Sequence, residues 1–175
     1  KFIYRAFVVA LLLFLSVETD AKPSARAKIG GVGFLLAGGA AYGVAPALLD
    51  AGISELMVCN RTPGKVDKLI DNLGQPNHVH SRYWEDLRSE GHFDLVINAT
   101  SAGRGSEPMK LPFDLCSNHT ACVDLGYGRS AIDFLAWARA SNCGLAIDAL
   151  GMLVEPAAES FYVMQGARPA TNEVY

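Results

Sequence analysis

The residues best suited to hold a ligand begin with a turn of small residues that directly follows a short apolar run. The turn consists of Leu36, Ala37, Gly38, Gly39 and Ala40. Small side chains let the backbone approach a phosphate closely, and a helix that starts here directs its free N–H groups and its positive end at the anion. Glycines also close ordinary turns, so the turn alone is weak evidence. Its position between a predicted strand and a predicted helix favours phosphate binding.

A second segment contains two cations and no carboxylate. It comprises Asn60, Arg61, Thr62 and Lys65, and Arg61 lies 23 residues after Gly38. A dinucleotide-binding sheet that prefers NAD usually places Asp or Glu here, where it binds the ribose 2′-hydroxyl. Arginine can instead hold a phosphate through two parallel hydrogen bonds, and lysine adds a point charge. The segment therefore predicts the 2′-phosphate of NADP as its ligand, against the alternative of a solvated loop with incidental charge.

Three further loops with unusual residues also follow apolar runs. They are Asn98–Gly103, Asp124–Tyr127 and Asp148–Met152. Ligands of a doubly wound sheet bind at the carboxyl ends of its strands, so Thr100 and Ser101 are candidate cofactor contacts. Asp124 and Asp148 are predicted to cap or orient their loops rather than to donate protons.

Apolar runs of strand length alternate with helical stretches after residue 30. Strands are predicted over Val32–Leu36, Glu55–Cys59, Val79–Ser81, Leu95–Asn98, Ala121–Leu125 and Leu145–Asp148, and helices over Ala40–Leu49, Gly64–Leu73, Ala131–Ala140 and Leu153–Met164. This alternation, with fully apolar strands, is typical of a parallel sheet covered on both faces. The predicted fold class is α/β: a doubly wound, Rossmann-like parallel sheet of about six strands, with helices on both faces.

Composition narrows the possible partners. The net charge of −3 gives no basic face for nucleic acid. Four cysteines are scattered without a C-x-x-C pair, so they are interpreted as reduced, mostly buried small hydrophobes, and no metal is expected. His78 and His80 alternate in a short predicted strand, which favours a polar strand edge over metal ligation.

The first 27 residues differ in kind from the rest. Lys1 and Arg5 precede an apolar run from Ala6 to Leu15, and small residues follow at Thr19 and Ala21. These are the parts of a secretory signal peptide, although a leftover piece of a preceding domain is an equally good interpretation. The run is too short to cross a bilayer. The predicted organisation is a leader and polar linker over residues 1–27, then a single NADP-binding domain over residues 28–175.

Taken together, these segments resemble the C-terminal, cofactor-binding domain of the shikimate dehydrogenase family. The matching pieces, in the family's order, are Ala37–Gly52, Val58–Val66, Phe93–Gly103, Phe134–Ala140 and Asp148–Pro169. The resemblance implies an NADP-dependent oxidoreductase of aromatic amino-acid biosynthesis, which transfers hydride between NADPH and 3-dehydroshikimate. A secreted product would meet little free NADPH, so a cytoplasmic location is expected, with export as the alternative if the leader is genuine.

The resemblance also assigns residues. It implies that the turn Leu36–Ala40 holds the pyrophosphate and that Asn60, Arg61, Thr62 and Lys65 hold the 2′-phosphate. Leu125 and Ala149 stand where the family lines the nicotinamide site, and Tyr127 where a tyrosine touches the substrate. The expected partners are NADP(H) and, only if a substrate domain is supplied, shikimate or 3-dehydroshikimate, with a homo-oligomer as a further possibility.

Three departures from the family pattern bear on activity. Leu36 replaces the first glycine of the motif, Ala149 replaces a glycine beside the nicotinamide, and Pro156 replaces a substrate-binding glutamine. The family's catalytic Lys and Asp belong to its N-terminal domain, which nothing in residues 1–30 resembles. Two interpretations follow: a cofactor domain that turns over little by itself, or a non-catalytic nucleotide-binding module that is a relic of the family.

Overall fold

Six parallel strands form a single sheet at the centre of the structure. The computed structural model describes residues 31–74, 76–89, 91–100, 110–172 and 174. The strands are β1 (Val32–Leu36), β2 (Glu55–Asn60), β3 (Val79–Tyr83), β4 (Leu95–Asn98), β5 (Ala121–Asp124) and β6 (Leu145–Ile147). Their spatial order is β3-β2-β1-β4-β5-β6, with every pair parallel. This is the order of a doubly wound dinucleotide-binding sheet, so the predicted fold class is confirmed.

Among the described residues there are four α-helices, three of them between consecutive strands and the last after β6. They are α1 (Ala41–Asp50), α2 (Pro63–Asn72), α3 (Ile132–Ala140) and α4 (Leu150–Gln165). The end of α1 is followed by Gly52 at φ 87°, a left-handed conformation that glycine adopts without strain. Gly166 ends α4 in the same way, at φ 71°, and its N–H donates to the Tyr162 carbonyl at 2.8 Å. No helix in the described ranges has the length and apolar character needed to cross a membrane.

The central strands are apolar except at the ends of β4 and β5, because both faces of the sheet are buried. Successive side chains point to opposite faces, so Leu35 packs with α1 and α2, while Leu36 packs on the side of α3. The same alternation separates Ile97 from Val96 and Val123 from Cys122. Burying each large aliphatic side chain contributes roughly 1.5–3 kcal/mol. The strands therefore lack the apolar–polar alternation of a sheet that faces water on one side.

Differences from the predicted boundaries occur where pairing or a polar side chain sets the end of an element. Strand β3 extends to Tyr83 because Arg82 and Tyr83 pair with Cys59 and Asn60 of β2. Helix α4 begins at Leu150 rather than Leu153, since the Asp148 carboxylate accepts the Leu150 N–H at 3.0 Å. Pro156 therefore lies inside α4 and not near its start. Short 3₁₀ turns at Trp84–Ser89, Phe113–Leu115 and Gly128–Ser130 were not predicted.

Candidate functional site

The predicted site loops lie at one edge of the sheet, because the carboxyl ends of parallel strands meet there. Backbone hydrogen bonds tie each loop to the next beyond the ends of the strands. The Ala37 N–H donates to the Cys59 carbonyl at 2.7 Å, and the Ala99 N–H donates to the Leu36 carbonyl at 2.9 Å. The Leu125 N–H donates to the Asn98 carbonyl, also at 2.9 Å. The loops after β1, β2, β4 and β5 thus form one continuous surface.

Gly38 is required by the close approach of two of these loops. A Cβ atom at this position would lie 2.0 Å from the Ala99 carbonyl oxygen and 2.8 Å from the Thr100 Cα. Both contacts are with backbone, which cannot rotate away as a flexible side chain can. A Cβ at the neighbouring Gly39 would meet nothing within 4 Å. Gly38 therefore sets the packing of the turn, whereas Gly39 leaves its outer surface open.

The N-terminus of α1 opens onto the same turn, and neither its N-cap nor its first turn supplies a group that would neutralise it. Its N-cap is Ala40, which has no side chain that could accept a hydrogen bond, and its first turn contains no acidic residue. The unsatisfied N–H groups at a helix start carry a partial positive charge. An anion placed beside Gly39 would meet that charge.

Asn60 joins the cationic segment to the small-residue turn. Its side-chain amide donates to the Ala37 carbonyl, and its Oδ1 accepts the Thr62 N–H at 2.7 Å. Arg61 and Lys65, by contrast, are exposed. Within the described ranges neither cation takes part in an ion pair. The arrangement places two available positive charges directly after the loop that contacts the turn.

A buried amide–carboxylate pair links β4 to β5 at the centre of this edge. The Asn98 side chain is 0% exposed and donates to Asp124 Oδ2 at 2.8 Å. The other Asp124 oxygen accepts the Gly126 N–H at 2.6 Å. Asn98 Oδ1 accepts both the N–H and the hydroxyl of Thr100, at 3.1 and 2.7 Å. A carboxylate removed from water needs such partners, and here they orient the two loops that follow the strands.

Asp148 orients the loops after β5 and β6 in a similar way. Its Oδ1 caps α4 at Leu150, and its Oδ2 accepts the Gly128 N–H at 3.2 Å. The prediction that Asp124 and Asp148 orient loops is confirmed by these contacts. Sequence reasoning missed the partner of Asp124, since Asn98 was included only as part of a loop, although a polar residue that ends a fully apolar strand was the available signal.

The remaining predicted site residues lie along the same edge with different exposure. Leu125 is half-buried, Tyr127 is 50% exposed and Ala149 is buried. Leu36 is fully buried as the last residue of β1, and its side chain packs in the core among Met57 and Cys59. The side chain that replaces the family's first glycine is therefore accommodated in the core of the sheet. Ser101 lies outside the described residues.

No cluster of three or more His, Cys, Asp or Glu side chains in the described ranges could hold a metal ion. His80 contacts Glu55 at 2.8 Å across the exposed edge of β2 and β3, where both side chains are about half exposed.

The chain is similar to curated enzymes over most of its length. No protein-family model matches the chain. Shikimate dehydrogenase (NADP(+)) from Stenotrophomonas maltophilia (strain R551-3) is 60% identical over 140 residues, which are 79% of this chain and 50% of that protein. The enzyme of the same name from Xanthomonas campestris pv. campestris (strain B100) is 58% identical over 141 residues, with the same coverage. The chain spans about half the length of the curated relatives it matches.

Solved structures show the same likeness. An Ael1 enzyme from Pseudomonas putida superposes with a TM-score of 0.68 at 34% identity, covering 90% of this chain and 57% of that one. Shikimate 5-dehydrogenase from Thermus thermophilus, in complex with NADP(H) and shikimate, superposes with a TM-score of 0.63 at 29% identity, covering 92% and 57%.

The strand order and the glycine-rich turn together define a Rossmann-like α/β domain of the dinucleotide-binding class. The identity to the curated enzymes makes the relationship more specific. Over the matched residues, this chain is a relative of the shikimate dehydrogenase family, and the predicted resemblance is confirmed.

Proposed function

We propose that this chain binds NADP(H) at the carboxyl edge of its sheet, as the cofactor domain of a shikimate dehydrogenase-type oxidoreductase. The observation that carries the proposal is the contact between the small-residue turn and the cationic segment, made by the Asn60 amide and the Ala37 carbonyl. This contact brings an uncapped helix start and two exposed cations to one surface. A dinucleotide with a 2′-phosphate needs both features, one for its pyrophosphate and one for the extra phosphate.

The proposed roles follow from how each residue is held. Gly38, Gly39 and the N-terminus of α1 receive the pyrophosphate, with Leu36, Ala37 and Ala40 shaping the turn by their backbone. Arg61 and Lys65 bind the 2′-phosphate, while Asn60 and Thr62 hold their loop in place. On the nicotinamide side we assign Thr100, Ser101, Leu125 and Ala149, with Tyr127 facing the substrate.

The proposed reaction is hydride transfer between NADPH and 3-dehydroshikimate. NADPH supplies the hydride when bound, and this chain's residues hold and orient it. A proton donor must lie within hydrogen-bond reach of the carbonyl being reduced, and the family's catalytic Lys and Asp belong to its other domain. Asp124 and Asp148 are both engaged in orienting loops. We therefore expect the chain alone to bind cofactor and to reduce 3-dehydroshikimate very slowly or not at all.

A non-catalytic nucleotide-binding module is the second candidate. Pro156 favours it, because a proline at the position of the family's glutamine cannot make that side-chain hydrogen bond to substrate. The two candidates differ in one assay. Oxidation of NADPH by 3-dehydroshikimate, measured after addition of the N-terminal substrate domain of a relative, would support the first, whereas cofactor binding without turnover would support the second.

Calorimetric titration of the 175-residue chain with NADP and, separately, with NAD tests the cofactor proposal. We expect tighter binding of NADP. The substitution Arg61→Ala should weaken the binding of NADP by about 1.5–3 kcal/mol and leave the binding of NAD almost unchanged, because the charge-assisted hydrogen bonds to the 2′-phosphate are lost. The matched control is Arg139→Ala. It removes an exposed arginine at the end of α3, the helix between β5 and β6, whereas Arg61 follows β2.

Equal loss of affinity for both cofactors would remove Arg61 from the 2′-phosphate role, and no binding of NADP or of NAD would refute the nucleotide site. The same titration tests the proposed boundary between residues 27 and 28. A fragment that starts at Lys28 should be soluble and bind NADP as tightly as the whole chain. If the fragment did not fold, the preceding residues would be part of the core.

A further inference from the structure

Three of the four cysteines lie close together in the core layer on the α3 side of the sheet. Cys116 follows the 3₁₀ turn Phe113–Leu115, Cys122 lies within β5, and Cys143 precedes β6. The sulfur atoms of Cys116 and Cys122 are 3.5 Å apart, and both thiols are free. Cys143 is partly buried and packs against the core layer that contains both. Cys116, Cys122 and Cys143 together form the thiol cluster.

The fold, rather than the short separation in sequence, holds the two closest thiols together. The turn between them is fixed by Thr120, whose hydroxyl accepts the Ser117 N–H at 2.7 Å and donates to the Phe93 carbonyl at 2.6 Å. Cys116 is 4% exposed and Cys122 is 0% exposed, whereas Cys143 is only partly buried. Cys143 is therefore the most exposed member of the thiol cluster.

Cys59 provides an internal comparison. It is fully buried in the same core layer as Cys116 and Cys122. It lies on β2, three strands from β5, which corresponds to about 14 Å at the usual strand spacing. Burial alone raises the pKa of the Cys59 thiol to about 12. In the cluster, the hydrogen bond from the Cys122 thiol lowers the pKa of Cys116, and the same bond raises the pKa of Cys122.

We propose that Cys116 and Cys122 form an oxidisable dithiol, which a hydroperoxide converts to a disulfide. The Cys116 thiolate attacks the hydroperoxide, so an S–O bond forms as the O–O bond breaks, and the departing oxygen takes up a proton to give water or an alcohol. The Cys122 sulfur then attacks Cys116. The S–S bond forms as the S–O bond breaks, and hydroxide leaves with the Cys122 proton as water.

In total, two thiols are oxidised to one disulfide, and one hydroperoxide is reduced. The sulfur atoms must move from 3.5 Å to about 2.05 Å, a small shift for a residue that ends a 3₁₀ turn. The proposal does not depend on the nucleotide site.

Trypsin offers a direct test on the whole chain. The folded protein is treated with hydrogen peroxide, denatured, alkylated and digested. Cys116 and Cys122 share the peptide Leu111–Arg129, Cys59 lies in the peptide that ends at Arg61, and Cys143 lies in the one that begins at Ala140. We expect Leu111–Arg129 to lose both alkylation sites and the mass of two hydrogen atoms, while Cys59 remains fully alkylated. Reduction with dithiothreitol should restore both sites.

Variants separate the roles within the thiol cluster. Cys143→Ala should leave the disulfide in place, and Cys122→Ala should stop at a Cys116 sulfenic acid that a dimedone probe traps. Three results would overturn the proposal. The first is that Leu111–Arg129 keeps both thiols until Cys59 is oxidised, and the second is a disulfide between that peptide and the Cys143 peptide. The third is that Leu111–Arg129 is oxidised in preference to Cys59 to the same degree in the chain unfolded by guanidinium. The peptide result on the unaltered chain stands even if Cys122→Ala fails to fold.

Discussion

At the scale of single residues, the adjacent glycines Gly38 and Gly39 differ in how closely the neighbouring loop packs against them. Gly38→Ala would place a Cβ 2.0 Å from the Ala99 carbonyl oxygen, so the loops after β1 and β4 would have to separate. We expect the free energy of unfolding to fall by about 1–3 kcal/mol, the usual cost of forcing an extra group into a packed site. Urea denaturation measures this change.

Gly39→Ala is the matched control for that substitution. The added methyl group meets nothing within 4 Å, and the φ angle at Gly39 lies outside the left-handed region. The free energy of unfolding should therefore stay within about 0.5 kcal/mol of the unaltered chain. Equal destabilisation by both substitutions would show that the turn depends on glycine flexibility rather than on the contact with Ala99.

The buried Cys59 thiol is expected to make the stability of the fold depend on alkaline pH. Its folded pKa is about 12 and its ordinary value is 9.0, so the folded chain keeps the proton where the unfolded chain loses it. The resulting stabilisation is complete below pH 9 and is lost as the pH rises towards 12. It corresponds to at most about 4 kcal/mol.

Cys59→Ala should make the free energy of unfolding fall less steeply between pH 9 and pH 12, even if the cavity lowers stability at every pH. Urea denaturation at several pH values compares the two slopes. Parallel slopes would mean that the Cys59 thiol ionises equally in both states.

At the scale of elements, α4 has stabilising residues at both ends but a helix-breaking proline in its interior. Asp148 caps its first turn and Gly166 ends it, yet Pro156 lies inside it. A proline cannot donate to the carbonyl four residues before it, here that of Met152, and its ring crowds that carbonyl, at a cost of about 3 kcal/mol. The helix is therefore expected to open more readily than its caps suggest.

Pro156→Ala should stabilise α4 against local opening by up to about 3 kcal/mol, because it restores the missing hydrogen bond. Amide hydrogen exchange of residues 150–165 reports this directly. Ala157→Gly, at an exposed neighbouring position, should have the opposite effect, by about 1 kcal/mol. Unchanged exchange after Pro156→Ala would indicate that contacts outside the helix hold its backbone in place.

At the scale of the whole molecule, α4 leaves a large apolar surface uncovered. Its one buried residue is Ala158. Its exposed apolar side chains are Leu153, Phe161, Tyr162, Val163 and Met164, and Val163 is 78% exposed. Glu155 and Glu159 both pair with Arg168, at 2.6 and 2.7 Å, which offsets one of their two negative charges. Exposed apolar patches of this kind promote association.

We therefore expect the chain to self-associate through α4, as a homo-oligomer. Replacing Val163 and Met164 together by lysine should weaken this association at least about tenfold, because the charges would have to be desolvated in the interface. Sedimentation analysis over a range of concentrations measures the change. Ile132→Lys, at an exposed apolar position on α3, serves as the control and should have little effect. Monomers at every concentration would contradict the prediction.

Much of this architecture could be predicted from local sequence. The bounds of β1 and β4 were predicted to the residue, because a fully buried strand is a short apolar run with clear ends. The cationic segment after β2 was found for a similar reason, since its residue types and their position after a strand are both local. Strand β3 was predicted too short because, at the edge of the sheet, its last residues are held by pairing with β2 and not by burial.

The sequence by itself determined the fold class and the positions of the candidate site loops. Both depend on periodicity and on residue type within short windows. Only the tertiary structure decided that Gly38 packs against Ala99, that Asn98 is the partner of Asp124 and that Cys116 meets Cys122. The physical reason is that these contacts depend on which strands become neighbours and in what register, and that follows from the packing of the whole sheet.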